Sequence, residues 1–425
     1  MAPQQESPPK PSAANEGTVP AHAGVPAGSP VVAHDDIAGH PRAAVRIAAI
    51  HGSATLSDFL WYPFLPLLAL ELSQGDKAAA LYWVSASWVI MGLLRFIAGP
   101  VWGYVADRVG RKPMLVRSQI SAVMAPALTT WIDAPWQLCV VMGVVGLFSA
   151  NQLAAVSLTS VVVPQRRLAS SLGLVSGAQY VGMTVGPAIG ALLIAAGGFA
   201  FGAAIAAVLC AGAALSTLFL VPADIVRERG EKSPPLERLR PTSQLWLVLV
   251  VQMALFAVSY LFTIVSPVVL KALSPSNASS ITGIAFACSG LGSAVGIFLL
   301  SGPTARAGRA VRALAACSAG AAASVFLMAA GESVVTYIAG FTILSLLTAA
   351  MMPAVNSLTA RNVPASRRGT VFGLVSSAQA AAFVIGPLAA SLFAATSYDA
   401  GFAGVGVALL LLAVLIARGM REPAA

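Results

Sequence analysis

Two charged side chains lie deep inside apolar stretches of the sequence. Asp58 lies in a stretch over 47–70, and Arg95 lies in the next one, over 81–105. Arg95 precedes Asp107, at the polar end of its stretch, by 12 residues, which is about 18 Å of helix and about half of a bilayer core some 30 Å thick. Charges at this depth are costly and generally face a partner or a cavity. The two residues predict either a structural ion pair or a functional pair, in which Asp58 exchanges protons and Arg95 tunes it.

Several polar and aromatic residues could act together with this pair. His51 precedes Asp58 by seven residues, so two helical turns place it on the same face. Because histidine changes charge near neutral pH, it could relay protons; a satisfied or interfacial histidine is the alternative. Trp88 precedes Arg95 by the same spacing and is either a substrate contact or an interface anchor. Further candidates for substrate contact are Trp61, Tyr62, Gln179, Tyr180, Gln252, Tyr260 and Gln379.

The elements that position these residues are membrane helices. Of the 425 residues, 57% are hydrophobic and 10% charged, with a mean hydropathy of +0.82, whereas about 25% of a soluble domain is charged. This excludes an ordinary soluble enzyme and, despite the net charge of +9, a nucleic-acid-binding protein. The apolar stretches are long enough to cross a bilayer as helices and lack the short alternating segments of a membrane barrel. We predict twelve spans, at 47–70, 81–105, 114–132, 136–158, 169–196, 199–221, 245–270, 280–300, 311–330, 334–357, 370–395 and 401–417.

Basic residues set the predicted orientation and domain organisation. Of the 25 Lys and Arg residues, only Lys77 and Lys271 fall on one side of the membrane and Arg95 falls within a span. The other 22 share the opposite side, so both termini should be cytoplasmic. The predicted organisation is a disordered cytoplasmic tail over 1–45, six-helix halves over 46–221 and 244–418, a cytoplasmic linker over 222–243 and a tail over 419–425.

An internal repeat relates the two halves. Residues 157–187 align with 357–387 without a gap, and 14 of the 31 positions are identical. The identities include a Gln pair, Gln179 and Gln379, and a Gly-Pro pair that begins at Gly186 and Gly386. Shared hydrophobicity alone would not align such residues. Halves of this kind place a substrate path at their interface, near the middle of the bilayer.

A charged turn follows the second span, with the pattern G-x-x-x-D-R-x-G-R-K. Its residues are Gly103, Asp107, Arg108, Gly110, Arg111 and Lys112. Gly110 permits an unusual backbone angle, and the basic residues suit an anionic membrane surface; a plain positive loop is the alternative. This loop, called the signature loop below, resembles that of the major facilitator superfamily between spans two and three. The second half has a weakened copy over 305–309, with Ala305 in place of the aspartate.

The fifth span contains a second motif of that superfamily. Its residues are Gly173, Gly182, Gly186, Pro187 and Gly190. Small residues allow close helix packing, and Pro187 can bend the helix; generic small-residue packing is the alternative. The resemblance implies the twelve-span drug:proton antiporter branch, near multidrug and siderophore exporters. Exporters of this branch often have an arginine in span four, where this sequence has Met142. The Asp58–Arg95 pair offers another arrangement.

Together these features predict an all-α integral membrane protein with twelve transmembrane helices in two six-helix pseudo-repeat halves, the major facilitator fold. The expected function is proton-coupled efflux of a small organic molecule, such as a drug or a siderophore. The alternative is an importer or facilitator of a small organic anion, with Arg95 as its contact. The sequence contains no G-x-x-x-x-G-K-[ST] loop for ATP.

The remaining expectations concern cofactors, partners and location. The four cysteines lie in apolar stretches without metal-binding spacing. The spans also contain no cluster of His, Asp and Glu for a metal and no arrangement of residues around a nucleophile, so we expect no cofactor, no metal and no enzymatic activity. The expected partners are a small-molecule substrate, protons and membrane lipid, without nucleic acid. The resemblance implies a monomer, and the expected location is the bacterial inner membrane.

Overall fold

The computed structural model describes residues 42–421, with gaps at 149–150, 164, 222–241, 301–308 and 362–367. Within these ranges every regular element is a helix. The α-helices are α1 (Ala43–Trp61), α2 (Leu65–Leu72), α3 (Lys77–Val109), α4 (Arg111–Thr129), α5 (Gln137–Phe148), α6 (Asn151–Val162), α7 (Gln165–Leu220), α8 (Ser243–Leu273), α9 (Ala278–Val295), α10 (Ala310–Ala330), α11 (Val334–Arg361), α12 (Arg368–Ala395) and α13 (Tyr398–Gly419). Most of the predicted 1–45 tail, most of the 222–243 linker and nearly all of the second copy of the signature loop lie outside the described residues.

Each predicted span falls on these helices. Seven described helices are long and apolar enough to cross a membrane, and the one over Ser170–Leu220 holds spans five and six. Span one differs from the prediction, because a 3-10 turn at Tyr62–Phe64 separates α1 from α2. Two prolines explain the break: Pro63 and Pro66 supply no backbone N–H for helical hydrogen bonds. Span four consists of α5 and α6, on either side of the gap at 149–150.

Local sequence explains where the helices begin and end. Asp76 precedes α3, and its carboxylate accepts hydrogen bonds from the backbone nitrogens of Ala78 and Ala79, at 2.9 and 3.2 Å. Such a cap satisfies donors that have no partner within the helix. Gly198 separates spans five and six within α7, since its φ of 80° interrupts the helical backbone and favours glycine.

Small residues bring the first and fifth spans together. A side chain at Gly182 would place its Cβ 2.7 Å from the Leu56 nitrogen, and one at Gly186 would place it 2.6 Å from the Phe59 Cβ. In the second half, a Cβ at Gly386 would lie 3.0 Å from the Tyr260 Cβ. The repeat therefore preserves one mode of packing, span one on span five and span seven on span eleven.

Among the described residues, the hydrophobic core that joins the halves lies at one end of the bundle and at mid-depth. We call the end with the signature loop the signature end, and the end where α2 stops and α3 begins the far end. At the far end and at mid-depth, residues of the first half such as Leu65, Leu81 and Met91 share one buried cluster with residues of α8 to α13. At the signature end, Ile47 and Leu158 belong to a separate cluster of the first half. The halves are thus packed on each other at the far end.

Candidate functional site

The structure places the two intramembrane charges beside each other. Asp58 on α1 and Arg95 on α3 are both partly buried, and their charges interact electrostatically across the interior. Tyr62, one turn beyond Asp58, lies near both charges. A charge pair in a low-dielectric interior is held far more strongly than in water. The arrangement can therefore hold a proton or exchange it when the two helices move.

Arg95 also contacts the other half of the protein. Its guanidinium carbon lies 5.0 Å from the ring centroid of Phe383 on α12, within the range of a cation–π contact. At Gly92, one turn before Arg95, a Cβ would lie 2.8 Å from the Phe383 Cβ. The small residue lets α3 and α12 approach closely, and this approach places the cation against the ring.

An aromatic cluster surrounds this contact and includes residues of both halves. Its members are Tyr62, Trp88, Tyr260 and Phe383. Trp88 lies 5.9 Å from Tyr62, 5.9 Å from Tyr260 and 6.2 Å from Phe383, measured between ring centroids. Tyr260 and Phe383 stack at 4.1 Å. Aromatic walls with a few polar groups are typical of small-molecule sites.

The predicted substrate contacts divide into three places. Gln379 joins the aromatic cluster, because its Nε2 donates to the Tyr260 hydroxyl at 3.4 Å. Gln252 is buried elsewhere, where its Nε2 donates to the Asn356 Oδ1 at 3.3 Å and ties α8 to α11. Gln179 lies beside His51. Trp88, Tyr260 and Gln379 are therefore brought together with Arg95, whereas Gln252 and Gln179 are not.

His51 lies in a polar pocket of the first half. It is 2% exposed and lies next to the side chains of Gln179 on α7 and Asn151 on α6. Within the described residues, neither ring nitrogen has a partner at hydrogen-bond geometry, and the same holds for the amide of Asn151. The three side chains therefore form a small polar group inside the first half.

The signature loop fastens helix ends together. Gly110 has φ 97° and separates α3 from α4. The Lys112 ammonium donates to the carbonyls of Leu218 and Val221, at 2.8 and 2.6 Å, and the Arg111 guanidinium donates to the carbonyl of Ser157 at 3.3 Å. Cations at helix C-termini satisfy free carbonyls and oppose the helix dipole.

Other members of the signature loop contribute less to these contacts. The Arg108 guanidinium lies over the Tyr104 ring at 4.0 Å. The structure describes the helical backbone at Gly103 and Asp107 but not the surroundings of these two residues.

The fifth-span motif holds α7 between the two halves. On one face, Gly182 and Gly186 pack on α1, and a Cβ at Gly190 would overlap the Leu60 carbonyl. On another face, the Pro187 carbonyl lies 2.9 Å from the Cβ position of Gly283 on α9. Gly173 has nothing within 4 Å of its Cβ position. The motif therefore fixes the helix of Asp58 on one side and meets the other half on the opposite side.

Two residues of interest were missed by the sequence reasoning. In the sequence Phe383 resembles any other apolar residue of span eleven. The one signal for a close helix approach is that it lies three residues before Gly386, in the repeat that contains the Gly-Pro pair. Arg117 falls within the predicted span 114–132 and, as expected, inside α4, but the count of basic residues grouped it with the loop cations and gave it no role. Among the described residues, no group of three His, Cys, Asp or Glu side chains could hold a metal ion.

Comparison with known proteins identifies the family. The profile of the Major Facilitator Superfamily matches residues 47–341 and 253–425. The multidrug resistance protein MdtG of Proteus mirabilis (strain HI4320) is 33% identical over 131 residues, which are 31% of this chain and 33% of that protein. MdtG of Serratia proteamaculans (strain 568) is 35% identical over 131 residues, 31% of this chain and 32% of that protein. The matched region thus spans about a third of the length of these curated relatives.

Solved structures share the fold at low identity. The human organic anion transporter MFSD10 (TETRAN) has a TM-score of 0.64 at 18% identity, covering 88% of this chain and 99% of that one. A bacterial homolog of the human lysosomal transporter Spinster, in an inward-facing and occupied conformation, has a TM-score of 0.68 at 14% identity, covering 88% and 94%. A POT family transporter in complex with 5-aminolevulinic acid has a TM-score of 0.72 at 12% identity, covering 89% and 96%. With its membrane-spanning helices, its repeated halves and this profile match, the chain belongs to the Major Facilitator Superfamily and is a multi-pass membrane protein.

Proposed function

We propose that this transporter exports a small organic molecule in exchange for protons, in the inner membrane of a bacterium and with both termini in the cytoplasm. The observation that carries the proposal is the position of Arg95, which interacts electrostatically with Asp58 and contacts Phe383 of the aromatic cluster. Arg95 then lies next to both the proposed proton-binding group, Asp58, and the aromatic side chains that would contact the substrate. The multidrug resistance relatives support the direction of transport, and the fifth-span motif supports the antiporter branch.

The coupling follows from the position of Arg95 between the halves. In the described state Arg95 lies near Asp58 and against Phe383 of the second half. When the halves separate at the far end, the ring contact is lost and Arg95 can move relative to Asp58. Asp58 then takes up a proton from the far side, and return of Arg95 releases that proton on the signature side. Substrate shifts this equilibrium only as far as it binds the two states differently.

The aromatic cluster supports a substrate with a flat, apolar surface. Four rings from the two halves meet beside the carboxyl group of Asp58 and the guanidinium of Arg95. Lipophilic drugs and zwitterionic metabolites such as siderophores would therefore both fit. A second candidate function is import or facilitated movement of a small organic anion. The mid-depth guanidinium of Arg95 favours it, and one structural neighbour is described as an organic anion transporter.

Reconstitution into proteoliposomes tests both candidates with two dyes. Ethidium is a permanent cation and does not follow a pH gradient passively; carboxyfluorescein is an anion. An antiporter accumulates ethidium in vesicles with an acidic interior, because outward proton movement drives dye inward. We expect Asp58→Asn to abolish this accumulation, whereas the control Asp399→Asn, which changes an exposed acid at the start of α13, leaves it intact. Uptake of carboxyfluorescein without accumulation of ethidium would favour the anion carrier. If Asp58→Asn still accumulates ethidium at the wild-type rate, Asp58 has no role in proton coupling.

A further inference from the structure

A groove runs along the outer face of the third span, away from the aromatic cluster. It has a volume of about 540 Å³ and lies between α4, the end of α5 and the end of α7. Two cations, Lys112 and Arg117, lie at its signature end. Its walls are formed mainly by apolar side chains, among them Val116, Ile120, Met124 and Phe148.

The length of the groove matches one leaflet of a bilayer. Lys112 lies in the first turn of α4, and Met124 lies 12 residues further along the same helix. This separation is about 18 Å at 1.5 Å per residue, close to half of a bilayer core of about 30 Å. Ile120 and Met124 are 50% and 45% exposed, as expected for side chains that face acyl chains. The groove is therefore lined by apolar side chains along one leaflet, with two cationic residues at its signature end.

Arg117 places a positive charge at the signature end of the groove, where an aromatic ring holds it. Its guanidinium carbon lies 3.9 Å from the ring centroid of Trp102 on α3, and the Trp102 indole is fixed by its hydrogen bond to the Leu147 carbonyl, at 2.7 Å. Within the described residues, Nε and Nη1 of Arg117 are buried without a hydrogen-bond partner. A guanidinium held in this way is costly without a counter-charge, and a phosphate is the group that its planar fork binds best.

We propose that this groove binds an anionic phospholipid from the leaflet at the signature end. The phosphate pairs with Arg117, and one acyl chain lies along Val116, Ile120 and Met124. A substrate molecule fits this groove less well, because the groove faces the bilayer and lies on the outer side of one half. Bound lipid also touches the point where Lys112 fastens α4 to the end of α7, so it would stabilise the signature loop.

Native mass spectrometry of the detergent-purified full chain tests this proposal. The protein is incubated with dioleoyl phosphatidylglycerol or dioleoyl phosphatidylcholine, and retained lipid is counted as collision energy rises. We expect wild type to retain phosphatidylglycerol preferentially and Arg117→Gln to weaken that retention about tenfold, the worth of one charge-assisted hydrogen bond. The matched control is Arg312→Gln, which changes an exposed cation in the first turn of α10, the equivalent helix of the second half. It should behave like wild type.

A second variant tests the apolar part independently of the charge. Ile120→Trp adds bulk at a half-exposed position, leaves Arg117 in place and should also reduce phosphatidylglycerol retention. Equal retention by wild type, Arg117→Gln and Ile120→Trp would overturn the proposal. Equal loss of both lipids in Arg117→Gln would also overturn it, since the phosphate contact would then carry no preference. A further contrary outcome is that wild type releases a second copy of the chain, and no lipid, as collision energy rises. If Ile120→Trp then releases no second copy, the groove would be assigned to dimer formation.

Discussion

The Arg95 guanidinium lies 5.0 Å from the ring centroid of Phe383, a residue 288 positions further along the chain. This contact joins the two halves at mid-depth, and the same cation lies in the electrostatic field of Asp58. Movement between the halves therefore changes the surroundings of the one acid that is well inside a span. The predictions below start from this relationship.

Arg95 and Phe383 should be energetically coupled. Phe383→Leu keeps an apolar side chain but removes the ring, and Arg95→Gln removes the charge. In a double-mutant cycle of thermal stability we expect a coupling free energy of about 1 kcal/mol, as for a partly desolvated cation–π contact. Additive effects of the two substitutions would show that the contact contributes nothing.

Removal of Arg95 should leave Asp58 without its partner. Arg95→Ala is expected to lower the free energy of unfolding by about 3 kcal/mol, because a buried charge remains uncompensated. The double variant Arg95→Ala, Asp58→Asn should recover part of that loss. The midpoint of thermal unfolding in detergent measures both. A double variant that is less stable than Arg95→Ala alone would contradict the pairing.

The signature loop should affect transport rate more than substrate binding. Arg111→Ala removes one hydrogen bond and Lys112→Ala removes two, all to carbonyls of other helices. These bonds lie far from the aromatic cluster. We expect a transport rate lowered at least about fivefold, since a change of about 1 kcal/mol in a conformational equilibrium has that effect. Ethidium binding should change less than twofold. The control Arg418→Ala, at an exposed cation in the last turn of α13, should leave both unchanged.

The fifth-span glycines should differ in their tolerance of a methyl group. At Gly190 a Cβ would overlap the Leu60 carbonyl, so Gly190→Ala should cost about 1–3 kcal/mol through overpacking. At Gly173 the Cβ position is open, so Gly173→Ala should be neutral or stabilising by up to about 1 kcal/mol from helix propensity. Unfolding midpoints of the two variants provide the comparison, and equal destabilisation would argue against a close approach at Gly190.

The predicted orientation can be tested with reporter fusions. Fusions at residue 425 and within 225–240 should report the cytoplasm, because basic residues remain on that side. Fusions near Gln74 and Ser276 should report the outside. A single reversed site among the four would break the twelve-span topology.

The sequence predicted features that depend on local pattern and failed on contacts between distant segments. Span positions follow from hydropathy, and the turn at Gly110 follows from its motif. The depth of Asp58 and Arg95 follows from helix rise. Partners such as Phe383 for Arg95, or Asn356 for Gln252, lie more than 100 residues away. Their residue types carry no signal of pairing, because apolar side chains occur in every span and an amide can hydrogen-bond to many kinds of partner.

Arg117 shows the limit of grouping charges by membrane side. It falls within the predicted span 114–132, yet the count of basic residues groups it with the cytoplasmic loop cations. In the structure Pro113 occupies the first turn of α4, where proline is tolerated, and Arg117 follows one turn later on the helix. Its contact with the Trp102 ring joins two helices, and the sequence carries no signal for it.

The core that the two halves share at the far end should limit the leakage of protons across the membrane. Leu65, Leu81 and Met91 pack with the second half between Asp58 and the far side. Close apolar packing leaves little room for water, so a proton on Asp58 would meet an apolar layer on that side in this state. A resting transporter would then leave the proton gradient and the membrane potential undisturbed, and current would flow only when the halves exchange their packed ends.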